Sequence, residues 1–293
     1  MKHIIVDIVL ASYNGEAFIG QQIESILNQT HGNFNLYITD DGSKDNTINI
    51  IKYYSAKDDR VKLVSKDRTG GVNYNFERGL NFSQENYIFL SDQDDIWYPN
   101  KIEEYLKLML REESIEKNVP ILLYSDLKLV DSSGNGISES FYKSSGLNPL
   151  RNYHYLNLKW MGSVMGCTIL LNKSALQHAL PFPHPIIMHD HWLALSTLKA
   201  GKILYIDKAF MDYRQHNNNV SGGMGFQRNI FNKLFNTKNY INIYKRAKII
   251  SSMYNTNNIF KRIKFLYSIF PSFKNCETIK YPLIFSIIYT LFG

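Results

Sequence analysis

Three carboxylates stand within four residues at the end of a short apolar run. Asp92, Asp94 and Asp95 follow the apolar residues 87–90. Carboxylates held this close together raise each other's pKa, and a bound divalent cation would remove the repulsion. Oxygen ligands favour Mg²⁺ or Mn²⁺, and Mg²⁺ typically takes one or two carboxylates together with substrate phosphates. The cluster therefore predicts a metal site for a phosphate-bearing ligand. The alternative is a solvated acidic turn before the helix that starts near Pro99.

Polar residues also follow two earlier apolar runs. Ser12, Tyr13 and Asn14 come after residues 4–10, and the polar residues 40–43 come after residues 34–39. If these runs are parallel strands of one sheet, their carboxyl ends meet in a common crevice, which is where such sheets bind ligands. Three polar strand ends therefore predict a single ligand site that includes the acidic cluster.

The spacing of apolar residues predicts the elements that position these side chains. Strands and helices alternate through the first half of the chain. The predicted strands cover residues 4–10, 34–39, 61–65, 87–90 and 121–123, and the predicted helices cover residues 16–29, 46–56, 72–82 and 101–111. This alternation predicts an α/β fold with a Rossmann-like, mainly parallel sheet flanked by helices on both faces.

The second half of the chain is less regular. A loop-rich stretch over residues 131–151 precedes an apolar run at 166–171, a helix over about 190–199 and a strand over 202–206. After residues 221–223 the sequence becomes rich in Phe, Ile, Tyr and Lys at helical spacing. We therefore predict an α/β domain over residues 1–225 and a basic, amphipathic helical extension over residues 226–293.

Basic residues are concentrated in that C-terminal region. The 293-residue chain has a net charge of +7, yet residues 1–225 hold 22 basic and 25 acidic side chains. Residues 226–280 hold eleven Lys and Arg and one acid, Glu277. Basic residues interleaved with aromatic and aliphatic ones suit an interfacial helix on anionic lipid. The alternative is a set of helices that pack on the first domain and leave a solvated basic face.

Cysteine usage and hydropathy bear on location. Cys167 and Cys276 do not make a disulfide framework, and the N-terminus offers no secretion signal. No stretch reaches the roughly 18 apolar residues that a membrane span needs, and residues 281–292 are too few. The sequence therefore predicts a cytoplasmic protein.

Four short motifs occur in the order of a known family. They are Ala-Ser-Tyr-Asn-Gly at residues 11–15, Leu-Asn-Gln-Thr at 27–30, Thr-Asp-Asp-Gly-Ser-Lys-Asp-Asn-Thr at 39–47 and Ser-Asp-Gln-Asp-Asp-Ile-Trp at 91–97. Together they resemble the nucleotide-sugar-binding half of glycosyltransferase family 2, inverting enzymes of the GT-A fold. Residues 189–195 and 213–222 resemble a rhamnosyltransferase branch of that family, and the resemblance spans roughly residues 4–222.

The resemblance implies a donor site. It places a nucleotide sugar against Ala11, Tyr13, Asn14, Glu16, Asp41, Ser91, Asp92 and Gln93, and the polar, glycine-containing loop at Arg68, Gly70, Gly71 and Asn75 predicts a further contact, with a plain turn as the alternative. In this set Tyr13 would stack on a pyrimidine and Asp41 would accept the ring N–H of the base. The alternatives are a half-buried tyrosine at a strand end and an aspartate that caps a turn.

The resemblance also implies metal ligands and a base. Asp94 and His216 would hold Mg²⁺ or Mn²⁺, and Asp92 would lie near the ribose. Asp190, at the start of a predicted helix, would be the general base; the alternative is an ordinary helix cap. His189 stands where the family commonly has a glutamate before this base.

The sequence as a whole predicts a metal-dependent inverting glycosyltransferase. The preferred donor is dTDP-rhamnose, and the acceptor is a growing cell-surface polysaccharide or a lipid-linked glycan. The enzyme would be peripheral on the inner face of the cell membrane, with no nucleic acid partner. The close alternative is the same chemistry with a UDP-hexose donor (UDP-glucose, UDP-galactose or UDP-GlcNAc). A metal-dependent phosphohydrolase would leave Tyr13 and Asp41 unexplained, and a polyanion-binding protein would explain the basic region only.

Overall fold

A computed structural model of the protein describes residues 3–216, 237–273 and 280–293. The strands are β1 (Val6–Ser12), β2 (Phe34–Asp40), β3 (Val61–Ser65), β4 (Tyr87–Ser91), β5 (Ile96–Trp97), β6 (Ile121–Val130), β7 (Gly136–Ser138), β8 (Leu170–Asn172) and β9 (Lys202–Arg214). The helices are α1 (Ile19–Leu27), α2 (Thr47–Lys57), α3 (Val72–Leu80), α4 (Lys101–Ile115), α5 (Phe141–Ser145), α6 (Tyr155–Leu158), α7 (Lys173–Ala179), α8 (His189–Ala200), α9 (Thr237–Met253), α10 (Ile259–Phe273) and α11 (Lys280–Phe292). Short 3₁₀ helices cover Pro149–Tyr153 and Gly166–Thr168.

One curled sheet organises the α/β part of the chain. Its strand order is β3-β2-β1-β4-β8-β6-β9-β5, with β7 beside β6. Strands β3, β2, β1 and β4 are parallel to one another, and β6 is parallel to β9. Strand β8 is antiparallel to both of its neighbours, and β5 is antiparallel to β9. The predicted α/β class, with a mainly parallel sheet flanked by helices, is therefore confirmed.

The register of the parallel strands brings their carboxyl ends to one rim. Ser12 at the end of β1 lies beside Asp40 at the end of β2, and Leu10 lies beside Ser91 at the end of β4. Every residue of β1 and β4 is buried, because helices cover both faces of the sheet. The polar residues that follow these strands therefore meet at the same edge.

Several elements differ in length from their predictions. The first helix begins at Ile19, not residue 16, because the N–H groups of Phe18 and Ile19 donate to the carbonyl of Gly15 in a turn. Strand β6 extends to Val130, and β9 extends to Arg214 where residue 206 was predicted. The apolar run 166–171 divides into a 3₁₀ turn and the short strand β8. The extension of β9 matters most, since it carries the chain back to the acidic cluster.

The three C-terminal helices form a second core around Trp160. Trp160, Ala247, Ile269, Phe285 and Tyr289 are fully buried in this core. The indole N–H of Trp160 donates to the Ser272 hydroxyl at 2.9 Å. The boundary predicted near residue 225 lies outside the described residues, so the two-part division stays a prediction.

Among the residues that the structure describes, no helix is both long enough and apolar enough to cross a membrane.

Candidate active site

A cavity of about 610 Å³ lies at the rim where β1, β2 and β4 end. Its wall comes from those strand ends, from the loop before α3, from the turn before β8 and from the start of α8. Ten of the residues predicted from the sequence line it: Ala11, Tyr13, Asp41, Arg68, Gly71, Asn75, Asp92, Gln93, Asp94 and Asp190. The structure therefore brings most of the predicted donor, metal and base residues to one site.

Asp41 holds the loop that precedes α3. Its carboxylate accepts from the Thr69 hydroxyl at 2.7 Å and from the backbone N–H groups of Thr69, Gly70 and Gly71. Gly70 and Gly71 have φ angles of +91° and +137°, which glycine adopts without steric cost. Burial acts to raise the pKa of the Asp41 carboxyl, but these hydrogen bonds outweigh it and the pKa is lowered. Asp41 is therefore an ionised acceptor beside the cavity.

Asn75 and Arg78 fix α3 against the ends of β1 and β2. The Asn75 Nδ2 donates to the carbonyls of Ser12 and Thr39 at 3.2 and 3.0 Å. The Arg78 guanidinium donates to Asn75 Oδ1 at 2.9 Å and to the carbonyl of Asp40 at 2.7 Å. The Asn75 amide is thus bonded to the protein on both sides and shapes the cavity wall. Arg78 was not predicted from the sequence.

Tyr13 and Gln93 form a pair at the edge of the cavity. The Gln93 amide accepts from the Tyr13 N–H at 2.9 Å and donates to the Tyr13 carbonyl at 3.1 Å. A Cβ atom on Gly15 would lie 2.2 Å from Gln93 Oε1, so glycine permits this close approach. Tyr13 is 48% exposed. Its backbone is therefore fixed while its ring remains accessible to a ligand.

Three predicted donor contacts lie beside the cavity and not in its lining. The Asn14 side chain accepts from a backbone N–H in the turn after β2 at 2.9 Å, and the Glu16 carboxylate does the same at 2.8 Å. The Ser91 hydroxyl is buried and donates to the carbonyl of Asp92 at 2.9 Å. In this structure the hydrogen bonds of these three residues stabilise the turns that contain the cavity residues.

The acidic cluster brings carboxylate oxygens together after β4. Ligand atoms of Asp92, Asp95 and Cys167 lie within 4.8 Å of one another. Burial raises the pKa of the Asp92, Asp94 and Asp95 carboxyls, and repulsion from neighbouring carboxylates raises those of Asp92 and Asp95 further. Asp95 Oδ2 is buried and has no hydrogen-bond partner among the described residues. Clustered hard oxygens and an unpartnered carboxylate oxygen fit a divalent cation.

Lys101 places a buried ammonium group behind this cluster. Its Nζ donates to the carbonyl of Cys167 at 2.7 Å and lies 3.7 Å from the centroid of the Trp97 ring. Burial lowers the pKa of Lys101 to about 7, against the opposing influence of Cys167, Asp95 and Asp92. Lys101 was not predicted, because a lysine in the first turn of a helix usually faces solvent.

The end of β9 supplies two basic groups to the acidic cluster. His216 Nε2 lies 2.8 Å from Asp94 Oδ2, and its ring stacks on Phe18 with 5.0 Å between centroids. The Arg214 Nε donates to the Asp94 carbonyl at 3.1 Å. The His216 contact acts to lower the pKa of Asp94, against the larger effect of burial. The two predicted metal ligands, Asp94 and His216, are therefore adjacent, although they lie 122 residues apart in sequence.

Asp190 reaches the same cavity from the start of α8. Burial raises the pKa of its carboxyl to about 6, although N–H groups of His191 and Gly166 act to lower it. A Cβ atom on Gly166 would lie 2.7 Å from His189 Nε2, so glycine allows the 3₁₀ turn to approach α8 closely. At neutral pH Asp190 is therefore a carboxylate that faces the cavity and can accept a proton.

Asn73 connects α3 to the start of α8. Its Oδ1 accepts from the His189 N–H at 2.8 Å, and its Nδ2 donates to the carbonyl of Ile186 at 3.4 Å. The His189 ring stacks on Phe76 of α3 with 3.9 Å between centroids. Burial lowers the pKa of His189 to about 3, so the ring is neutral. The helix that begins at the Asp41 loop thus also positions the residue next to Asp190.

Comparisons with known proteins identify the family of this chain. A family model described as "Glycosyl transferase family 2" matches residues 7–117. Over 230 residues the chain is 30% identical to the dTDP-rhamnosyl transferase RfbG of Shigella flexneri, covering 73% of each. Over 225 residues it is 31% identical to the UDP-Glc:alpha-D-GlcNAc-diphosphoundecaprenol beta-1,3-glucosyltransferase WfgD of Escherichia coli, covering 75% of this chain and 81% of that relative.

The chain belongs to glycosyltransferase family 2.

Solved structures agree with the fold of this family 2 glycosyltransferase. TarS 1–349 of S. aureus in complex with UDP aligns with a TM-score of 0.58 at 15% identity, covering 94% of this chain and 73% of that one. Mannosyltransferase PcManGT from Pyrobaculum calidifontis, in complex with GDP-Man and Mn²⁺, aligns with a TM-score of 0.56 at 12% identity, covering 97% and 69%. The predicted GT-A fold, family and enzymatic character are confirmed, so the phosphohydrolase and polyanion-binding alternatives lose their support.

The cavity of this family 2 glycosyltransferase also contains residues that sequence reasoning missed. They are Val72, Met165, Gly166 and Met188. All four are small or apolar and belong to none of the motifs, so the sequence carried little signal for them. Ser12, Gly70, His189 and Tyr213 also line the cavity; each lies in a segment that the sequence had singled out, although no individual role was predicted for them.

Proposed function

We propose that this glycosyltransferase transfers one sugar, with inversion, from a pyrimidine-diphosphate donor to a hydroxyl of a glycan or lipid-linked glycan. The observation that carries the proposal is the convergence of Tyr13, Asp41, Asp94 and Asp190 on one cavity of about 610 Å³. A base, a diphosphate and a sugar need adjacent subsites of different chemistry. The cavity offers an aromatic edge, an ionised acceptor, an acidic cluster and a separate carboxylate.

The base subsite is assigned to Tyr13 and Asp41. The exposed Tyr13 ring can stack on a pyrimidine because its backbone is already fixed by Gln93. Asp41 Oδ1 takes three hydrogen bonds from the loop before α3, whereas Oδ2 takes one, from Gly71, among the described residues. A carboxylate oxygen has room for a second donor. Asp41 Oδ2 is therefore the proposed acceptor for the ring N–H of the base.

The diphosphate subsite is assigned to the acidic cluster. Asp94, with His216 beside it, would hold Mg²⁺ or Mn²⁺ together with the donor phosphates, and Asp92 would lie near the ribose. Such a cation supplies Lewis-acid stabilisation of the departing nucleoside diphosphate. The raised pKa of Asp94, caused mainly by burial, supports this assignment, because a bound cation would stabilise the ionised form of a buried carboxylate. PcManGT, a protein of the same fold, carries Mn²⁺ in its solved complex.

Asp190 is assigned as the general base. The acceptor hydroxyl would give its proton to the Asp190 carboxylate while its oxygen forms a bond to the anomeric carbon. The bond from that carbon to the donor phosphate breaks at the same time, so the nucleoside diphosphate leaves from the opposite face. The transition state then resembles an oxocarbenium ion, as in glycoside hydrolysis. The position of Asp190 in the first turn of α8 also lets the helix dipole stabilise its charge before the proton arrives.

We propose dTDP-rhamnose as the donor sugar nucleotide, supported by the likeness to RfbG and by the motifs at residues 189–195 and 213–222. UDP-glucose is the second candidate, because WfgD is at least as similar. Tyr13 and Asp41 are compatible with both, since thymine and uracil present the same ring N–H. The name of WfgD includes a diphosphoundecaprenol acceptor. On that ground we propose a lipid-linked glycan acceptor on the inner face of the cell membrane.

A donor panel tests this proposal. The purified enzyme is incubated with Mn²⁺ and an acceptor sugar linked through a diphosphate to a lipid. Each reaction contains one donor, and the masses of the products are measured by mass spectrometry. The donors are dTDP-rhamnose, UDP-glucose, UDP-galactose, UDP-GlcNAc and GDP-mannose. We expect addition of a deoxyhexose from dTDP-rhamnose. Transfer from UDP-glucose alone would replace the first candidate by the second. Transfer from GDP-mannose alone would contradict the pyrimidine subsite.

A further inference from the structure

Helix α10 carries a row of large apolar side chains on its outer surface. Phe260, Ile263, Tyr267 and Phe270 are 81%, 51%, 84% and 66% exposed. Their spacing of three, four and three residues places them along one side of the helix. We call these four residues the α10 apolar face. Exposed apolar surface of this extent on a folded helix typically marks a contact with a partner or a membrane.

The α10 apolar face is not required for the core of the protein. On the other side of the same helix, Phe265 and Ile269 are buried against Tyr289 and Trp160 in the second core. The position of α10 is further fixed by Arg262, whose guanidinium donates to backbone carbonyls at the end of α11 at 3.3 and 3.4 Å. The helix therefore presents its apolar face from a fixed framework.

Exposed positive charge lies on α10 and on α9, and the described C-terminal helices hold no acidic residue. Lys261 and Lys264 are exposed on α10, and Lys245 and Lys248 are exposed on α9. Residues 237–273 and 280–293 contain no Asp or Glu. On α11, Leu283, Ile287 and Leu291 are 52–60% exposed at a spacing of four residues, which adds a second apolar row.

We propose that the α10 apolar face is a docking surface for an anionic lipid membrane. Aromatic and aliphatic side chains of Phe260, Ile263, Tyr267 and Phe270 enter the boundary between headgroups and acyl chains. Lys261 and Lys264 contact the lipid phosphates. A second copy of this chain fits less well, because a symmetric contact would place the lysines of one copy against those of the other without acids to separate them. The proposal concerns a surface outside the donor cavity and does not depend on which sugar is transferred.

Vesicle co-sedimentation of the full chain tests the docking surface. We compare vesicles of phosphatidylcholine with vesicles that contain one third phosphatidylglycerol. The wild type is expected to bind the anionic vesicles and to release them as salt rises. Phe260→Ser/Tyr267→Ser should weaken this binding by at least about tenfold, because it removes the two most exposed anchors of the interfacial helix. Ile115→Ser, which alters a 72% exposed side chain at the end of α4, is the matched control and should bind as the wild type.

Two results would overturn the proposal. The first is equal vesicle binding by the double variant and the wild type. The second is a wild type that ignores anionic vesicles but forms a dimer that the double variant loses, since a second copy would then be the occupant. Thermal unfolding of the double variant should match the wild type, because both changed side chains face solvent. In the absence of vesicles, the double variant should also still release the nucleoside diphosphate from the donor. This second measurement distinguishes a loss of membrane docking from a loss of the proposed glycosyltransferase chemistry.

Discussion

Among single residues, Asp190, the proposed general base, has an environment that predicts the pH dependence of the reaction. Burial raises the pKa of its carboxyl to about 6, so the proton-accepting form is lost as pH falls below that value. We predict that kcat at saturating donor and Mn²⁺ is level near pH 7–8 and declines about tenfold per pH unit well below pH 6. Asp190→Asn should retain donor binding and lower kcat by about 10²–10⁴-fold. A pH-independent rate between pH 5 and 8, or a nearly normal Asp190→Asn enzyme, would exclude this residue as the base.

Substitution of Asn73 tests whether catalysis requires a fixed position for the start of α8. Its Oδ1 accepts from the His189 N–H, next to Asp190, so Asn73→Ala should let that helix end shift. Small displacements of a catalytic group are costly, and we predict that kcat falls about tenfold while the dissociation constant of the donor stays the same. Asn49→Ala on the exposed surface of α2 is the control. Loss of donor affinity with unchanged kcat would show that Asn73 acts on the nucleotide side instead.

The sequence predicted site residues that belong to motifs, but it did not predict residues whose role depends on how the chain packs. Asp94 and His216 were predicted as a pair and are in contact. Lys101 and Arg78 were missed because charged residues on amphipathic helices normally face water, and only the three-dimensional arrangement shows their burial. Asn75 was predicted as a donor contact; it lies in the cavity wall, where its amide is hydrogen-bonded to the protein.

At the scale of elements, the contact between α3 and the sheet depends on Gly79. A Cβ atom there would lie 2.5 Å from Val9 Cγ1 and 3.2 Å from Thr39 Oγ1, both on buried strands. Gly79→Ala is therefore predicted to lower the free energy of unfolding by about 1–3 kcal/mol. It should also weaken donor binding, since α3 carries the loop bonded to Asp41. Chemical denaturation and calorimetry provide these two measurements.

The matched control for that prediction is Gly20→Ala in α1. The nearest atom to a Cβ at Gly20 is Tyr54 Oη at 3.6 Å, an ordinary contact. Its free energy of unfolding should stay within about 0.5 kcal/mol of the wild type. Equal effects of the two substitutions would mean that close packing of α3 on β1 is not what requires glycine at residue 79.

The end of a strand is a feature that the apolar pattern of a single segment did not predict correctly. Strand β9 was predicted to end at residue 206, just before the polar residues Asp207 and Lys208. In the structure Ile206 pairs with Ser125 and Ala209 pairs with Asp126, so the two polar residues bulge out and the strand continues. A bulge depends on the partner strand, and a single segment of sequence does not reveal it.

At the scale of the whole molecule, Trp160 joins the C-terminal helices to the α/β part. It is fully buried, and its backbone carbonyl accepts from Arg246 of α9 at 3.2 Å. Trp160→Ala should lower the free energy of unfolding by about 3–5 kcal/mol, as expected for an aromatic residue removed from a core. Tyr267→Ala, which changes an 84% exposed side chain on α10, should have little effect. If both variants were as stable as the wild type, the second core would contribute nothing to folding.

The central claim is that one cavity binds a nucleoside diphosphate through a cation held at the acidic cluster. Calorimetric titration of the full chain with UDP or dTDP in the presence of Mn²⁺ tests it most directly. The wild type should bind, EDTA should abolish binding, and Asp94→Asn should weaken it by at least about 100-fold, while Asp59→Asn on the exposed surface should have no effect. Equal affinity of Asp94→Asn and wild type, with or without Mn²⁺, would contradict the claim.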